Sequence, residues 1–371
     1  GDMEVLFEKV PYFKDLQSMR GTAHDKLWNS EYGQKQKTER DHIYFGTVLE
    51  HILLQNLCAF YDVGEHNEMR LHGADWNDAL DMAWEKGESV AFTCAYAGNL
   101  RNIAKTLRQL EEISGSSKIE IAHEMEDLLA GSVELYEDAA RKQALLAGYA
   151  KKCEHNISGD TIVVRLDQLA ANLEGKADWM MKNIRANEWV KDGEDGWFNG
   201  YYDIHGRKVQ GVMDESVRMM LTGQVFAIMS GTATEDQVES ICRSADKYLY
   251  DQKAGGYRLN TNFHEEKFDL GRMFGFAYGE KENGAVFSHM AVMYANALYS
   301  RGFAKEGYKV INTLYKHCAD YHKSNIYPGV PEYVNQRGQG MYHYLTGAAS
   351  WLLLTVLNEM YGIKGELGAL K

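Results

Sequence analysis

The stretch HGADWNDALDMA, residues 72–83, sets Asp75, Asp78 and Asp81 three residues apart, with Trp76 and Asn77 between the first two. Three chemistries suit that spacing. In the first, Asp75 caps a helix that continues through Leu80 and Ala83, and Asp78 completes a variant capping box. In the second, the three carboxylates share one helix face and offer hard oxygen ligands to magnesium. Such a site needs a second acidic cluster and a basic grip on pyrophosphate, and neither stands out here. In the third, Trp76 is a platform for the apolar face of a sugar ring and Asp78 is a general acid that protonates a glycosidic oxygen. That acid must be lifted from about 3.9 towards neutrality, a change of about 2.7 kcal/mol for two pH units. Burial beside Trp76 and the negative charge of Asp75 or Asp81 would both act in that direction.

A hydrolytic site needs a second carboxylate to activate water or to attack directly. A site that uses phosphate as nucleophile needs a cradle for an anion instead. His289 in ENGAVFSHM and Thr346-Gly347 in YLTGAASW have that chemistry: an imidazole donor, a hydroxyl and a glycine N–H that a loop presents to an oxyanion. Each also has an ordinary structural role. His289 opens an apolar helical run and suits a satisfied boundary histidine, and Thr346 suits a local backbone hydrogen bond.

The elements that must position these groups are mostly helices. Only Pro11, Pro328 and Pro331 interrupt the chain, and apolar spacings of three and four recur between glycine-marked turns. From Ser89, the positions Val90, Cys94, Ala97, Leu100, Ala104, Leu107 and Leu110 form one stripe. Similar segments are expected near 46–61, 118–154, 161–184, 218–230, 234–250, 288–302, 304–322 and 342–361, the last closed by Gly362. Strand signals are few, at Trp197–Asp203, Lys208–Val212 and Gly256–Leu259, and read as hairpin decorations. The expected fold is all-α, a helical toroid or solenoid of sequential hairpins in a single domain.

With 371 residues, 45% hydrophobic and 25% charged, the chain can bury a large core. A formal charge of −13 with no basic run argues against nucleic acid or an anionic membrane as partner. Five cysteines stand singly, without a C-x-x-C pair, which suggests a reducing compartment such as the cytoplasm. No run of about 18 apolar residues suggests a membrane span.

Four motifs resemble glycoside hydrolase family 94 in the same order: DWND at 75–78, GESV at 87–90, ENG at 282–284 with His289 seven residues after its glutamate, and LTGAASW at 345–351. Its members are inverting disaccharide and oligosaccharide phosphorylases. The longer strings RLHGADWNDALDMA, DLGRMFGFAYG and PEYVNQRGQGMYHYLTGAASWLLLT look most like members that act on β-1,2-glucans. The resemblance implies an (α/α)6 barrel spanning residues 1–371, incomplete on its N-terminal side and part of a longer protein. It implies Asp78 as general acid, Trp76 and Glu282 at the sugar, and His289, Thr346 and Gly347 at the phosphate. Gln224, Arg272, Glu332, Tyr333 and Arg337 are further candidates from polar character and motif membership.

No metal or cofactor is implied beyond phosphate as co-substrate. The implied partners are a β-glucan oligosaccharide and phosphate, with a homodimer or companion domains alongside. The family's early-barrel arginine and aspartate have no counterpart, and the stretch at 19–25 is not a convincing substitute. Competing expectations are an inverting hydrolase, with Glu282 activating water, and a non-catalytic glucan-binding or assembly domain.

Overall fold

The computed structural model describes residues 3–18, 23–115, 117–213, 216–326, 329–343, 347–366 and 369–370. Thr346 lies outside the described residues, as do residues 19–22 of the stretch at 19–25. The chain forms two compact units, Gly1–Asn67 with Asn99–Trp179, and Glu68–Gly98 with Met180–Lys371. In chain order the helices are α1 (Val48–Tyr61), α2 (Val90–Ser114), α3 (Val133–Glu137), α4 (Ala139–Lys152), α5 (Leu166–Asn187), α6 (Leu221–Met229), α7 (Glu235–Tyr248), α8 (Ser288–Ser300), α9 (Ala304–Ala319), α10 (Tyr321–Ser324) and α11 (Gly347–Leu354). The fold is predominantly helical, and every position of the α2 stripe from Val90 to Leu110 is at most 1% exposed.

In the first unit, the helix expected over 118–154 is replaced by a strand and three shorter helical pieces. Lys118–Ala122 (KIEIA) alternates with period two and pairs antiparallel with Thr161–Arg165 (TIVVR), Lys118 opposite Arg165 and Ala122 opposite Thr161. The β-branched run Thr-Ile-Val-Val favours that pleat, so the helix expected from residue 161 starts instead at Leu166. After the 3-10 turn His123–Leu129, new caps divide the rest. The Ser132 side chain accepts from the Leu135 N–H to start α3, and Asp138 accepts from the Arg141 N–H to start α4.

In the second unit α8 is buried around most of its circumference, from Met290 to Ala295 and again at Ala297 and Leu298. A helix apolar on so many faces belongs inside a layer of other helices, and α6, α9 and α11 pack against it. α7 starts with a capping box in which Thr234 and Gln237 exchange hydrogen bonds. The expected aromatic strand divides in two. Asp195–Phe198 forms a hairpin with Trp189–Asp192, and Tyr201–Tyr202 adds to Glu88–Ser89, which also pairs with Met69–Arg70. The signals at Lys208–Val212 and Gly256–Leu259 shorten to Gly211–Val212 and Gly256–Tyr257.

Another small sheet joins Val286–Phe287, Tyr333–Val334 and Gly340–Met341, all antiparallel, with Phe287 opposite Tyr333 and Tyr333 opposite Met341. It brings the ENG segment beside the PEYVNQRGQGM segment at the entrance to α8. α11 passes into a π-helical turn, Thr355–Met360, and Gly362 follows with φ +71°, the left-handed conformation expected of a residue ending a helix.

Candidate active site

The DWND segment is not helical. Residues 71–87 form a loop of turns between Met69–Arg70 and Glu88–Ser89, closed at its base by the Leu71 N–H donating to Gly87 O at 2.9 Å. Asp75 Oδ1 accepts from the Asn77 N–H at 2.9 Å, and Asn77 Oδ1 accepts from the Ala79 N–H at 3.1 Å. Consecutive side-chain-to-backbone turns compete with the helical ladder, which corrects both readings that placed the three aspartates on a helix. Asp75 does serve a helix start, but that of α2. Its Oδ2 accepts from Ser89 Oγ at 2.7 Å, and Ser89 Oγ accepts from the Phe92 N–H at 2.9 Å. Burial pushes the Asp75 carboxyl up, and the hydrogen bonds from Ser89 and Asn77 offset only part of that.

The other two aspartates face Arg272. The Arg272 N–H donates to Asp81 Oδ1 at 3.1 Å, and its guanidinium pairs with Asp81 Oδ2. Burial alone would raise the Asp81 carboxyl, but the backbone and guanidinium hydrogen bonds from Arg272 outweigh it and hold the group below its usual range. Arg272 also donates to the Asp78 carbonyl at 2.9 Å and lies 3.3 Å from Asp78 Oδ2. The segment carrying Arg272 can sit this close because residue 271 is glycine: a Cβ there would lie 2.1 Å from Ala79 O. Asp75 is thus turned to Ser89 and Asn77 while Asp78 and Asp81 share Arg272, and among the described residues the three carboxylates form no metal-binding group. The expected burial of Asp78 is also corrected, since its side chain is 82% exposed. Desolvation of this acid requires a ligand over the loop.

Trp76 and His289 come together. Their rings lie 5.2 Å apart edge to face, with Phe287 5.7 Å from Trp76 and Trp351 6.3 Å from His289. His289 stands in the first turn of α8, and Phe287, the residue before that helix, offers no side-chain cap. Gly347 opens α11 directly against the imidazole, where a Cβ would lie 2.5 Å from Cε1 and 2.9 Å from Nε2. Among the described residues, His289 Nε2 and Ser288 Oγ are buried without a hydrogen-bond partner. Burial pushes the His289 imidazole below its usual value, so the ring is neutral near pH 7 in the free protein. Two helix N-termini converge here on an imidazole whose Nε2 has no hydrogen-bond partner among the described residues, a combination that suits an anion.

That site carries a pH signature. Bound sulfate, a dianion throughout the range, stabilises imidazolium, so its binding takes up protons. Sulfate affinity should rise as the pH falls from about 8 to about 6, by at most about tenfold per pH unit, and His289→Ala should flatten the profile. Calorimetric titration at several pH values measures both, and a flat profile in the unsubstituted protein would remove His289 from the anion site.

Glu282, half-buried, is pushed up first by burial and then by the nearby Asp78 and Glu332 carboxylates. Tyr333 is buried, and burial followed by Glu280, Tyr342 and Glu282 raises its phenol to about 12. Glu332 is fixed through its backbone: its carbonyl accepts from the Ser288 N–H at 2.8 Å, and its N–H donates to Tyr342 O at 3.2 Å. These residues gather around the α8 entrance. Gln224 does not join them as a free ligand. It is fully buried, its amide nitrogen donates to the Phe198 and Met220 carbonyls at 2.8 and 3.0 Å, and its oxygen accepts from the Phe198 N–H at 2.8 Å. Both amide protons and the oxygen are engaged by backbone in a fully buried position, so the expectation of a sugar contact is corrected to a structural role. Arg337 is exposed on the 335–339 turn. Trp351 was not anticipated, although its position four residues after Gly347 puts both on one helical face.

The family model for the glycosyl hydrolase 94 superfamily, catalytic domain, matches residues 164–362, just over half of the chain. The solabiose phosphorylase of Paenibacillus borealis is 25% identical over 330 residues, covering 85% of this chain and 35% of that protein. The cellobionic acid phosphorylase of Neurospora crassa is 26% identical over 234 residues, covering 59% of this chain and 27% of that protein. The N,N'-diacetylchitobiose phosphorylase of Vibrio proteolyticus is 26% identical over 198 residues, covering 50% and 24%. The chain thus spans about a quarter to a third of the length of these curated relatives.

Proposed function

The chain belongs to the glycosyl hydrolase 94 superfamily, and from that premise we propose that it carries the phosphate and acid side of an inverting glycoside phosphorylase acting on β-linked glucosides. The observation behind this is the buried His289 Nε2, without a hydrogen-bond partner among the described residues and held against Gly347 at the start of α11. In the reaction, a phosphate oxygen attacks the anomeric carbon of the donor glucose as the glycosidic C–O bond breaks. The Asp78 carboxyl gives its proton to the departing oxygen. The product is an α-glucose 1-phosphate, and the proton released from its phosphate restores Asp78. His289, Gly347 and Thr346 hold and orient the nucleophile, so that two reactants meet in a fixed geometry.

Trp76 supplies the stacking surface for the ring, and Glu282 hydrogen-bonds a sugar hydroxyl. Glu332, Tyr333 and Arg272 complete the rim. Arg272 holds Asp78 in the free protein, and sugar entering over the loop displaces both water and the guanidinium from Asp78, providing the desolvation that the open site lacks. The helices form part of an (α/α)6 barrel, and cysteines that are all free suit a cytoplasmic setting. Resemblance of the longer strings points to β-1,2-glucooligosaccharides. The test is release of glucose 1-phosphate from β-1,2-, β-1,3- and β-1,4-glucooligosaccharides in phosphate buffer, using the full-length protein. Release from the β-1,2 series above the others supports the reading, and release from none of them overturns it.

A further inference from the structure

One cleft in the second unit has a lining opposite in charge to the chain as a whole. The cleft has a volume of about 610 Å³ and is lined by Lys253, Lys316, Lys323, Arg337, His317 and His322, with no carboxylate among its lining residues. This is a chain with 53 acidic against 40 basic residues. Concentrating cations with few carboxylates to neutralise them costs self-repulsion, which a bound anion relieves. Of the four permanent cations, only Lys323 has a carboxylate partner among the described residues, Asp320 at 3.3 Å.

The cleft is held in shape by a buried histidine. His317, in the last turn of α9, shares a hydrogen bond between Nε2 and the Gly338 carbonyl at 2.7 Å. Gly255 and Gly338 close on its ring from two different turns, with φ of +82° and +84°. A Cβ at Gly255 would lie 2.3 Å from the ring. The closure brings Lys253 from the turn after Tyr250–Asp251, and Arg337 from the turn after Tyr333–Val334, to the face of α9 that carries Lys316. Lys316 alone would be explained by its favourable place at a helix C-terminus. That explanation covers neither Lys253 nor Arg337, which reach the cleft from separate loops.

We propose that this cleft binds a phosphorylated small molecule carrying at least two negative charges. Gln252, Asn312 and Thr313 add neutral donors and acceptors beside the cations, a combination that matches a phosphate attached to a hydroxylated body. The volume lies within the range of about 300–1,000 Å³ that small-molecule sites occupy. None of the residues assigned above to sugar or phosphate at the α8 entrance lines it, apart from Arg337 of the weaker set, so the inference stands without the phosphorylase reading.

Titration of the whole protein with inorganic pyrophosphate at low ionic strength, followed by calorimetry, tests it. The Lys316→Gln/Arg337→Gln double variant should weaken one binding event by about tenfold or more, and His289→Ala should leave that event unchanged. Both substituted side chains are exposed, so an unchanged melting temperature is expected. Lys253→Gln is the independent check and should weaken the same event severalfold. No measurable binding, binding that survives both sets of substitutions, or binding lost entirely in His289→Ala would each overturn the proposal.

Discussion

Asp78→Asn should lower phosphorolysis by about 10²- to 10⁴-fold, the range that a positioned general acid contributes, while changing stability by no more than a few tenths of a kcal/mol. The two halves of this expectation have separate causes. The side chain is 82% exposed and makes one long ion pair, at 3.3 Å to Arg272, so the fold rests little on it. Asparagine keeps the shape and can still meet solvent, but it has no proton to give to a departing alkoxide. A substrate with a good leaving group, such as an aryl glucoside, should recover much of the rate, because that oxygen leaves without protonation. Steady-state kinetics on both substrates, beside thermal melts, measure this. Equal losses on both would mean that Asp78 binds sugar rather than transferring a proton.

Gly347→Ala should nearly abolish phosphate binding, by about 10²-fold, with a cost of about 1–3 kcal/mol in stability from forced repacking. The added carbon would lie 2.5 Å from His289 Cε1, 2.7 Å from Nδ1 and 2.9 Å from Nε2. Either the imidazole leaves the α8 entrance or α11 starts further away, and in both cases the nitrogen and the helix N-terminus no longer converge. Gly175→Ala is the internal comparison. That glycine is exposed within α5 with nothing within 4 Å of the added carbon, so the substitution should stabilise the protein by about 0.5–1 kcal/mol through helix propensity. Denaturant melts on the two variants should therefore move in opposite directions, while anion titration should change only in Gly347→Ala. Phosphate binding by Gly347→Ala equal to that of the unsubstituted protein would remove α11 from the site.

The long helices were legible because burial writes a periodic signal: the α2 stripe is continuous in the sequence and buried throughout. The region 118–165 was misread because KIEIA and TIVVR are five-residue strands whose pairing partner lies about 40 residues away. Short apolar runs do not distinguish strand from helix, and only the long-range partner decides. In the site, the meeting of Trp76, His289 and Gly347 followed from motif chemistry. The loop around Asp75 did not, because two competing side-chain turns leave the same residue spacing as a capping box. The commitment of Gln224 to the Phe198 and Met220 backbone was equally hidden, since residue type does not reveal whether an amide faces a ligand or the chain itself.

The most direct test is turnover of β-glucooligosaccharide by the full-length protein with and without inorganic phosphate, following sugar 1-phosphate and free glucose together by nuclear magnetic resonance. The account predicts that bond cleavage requires phosphate, that the phosphorylated sugar appears first in the α configuration, and that no glucose is released without phosphate. Cleavage at the same rate in phosphate-free buffer, with glucose as the product, would contradict it and identify a hydrolase.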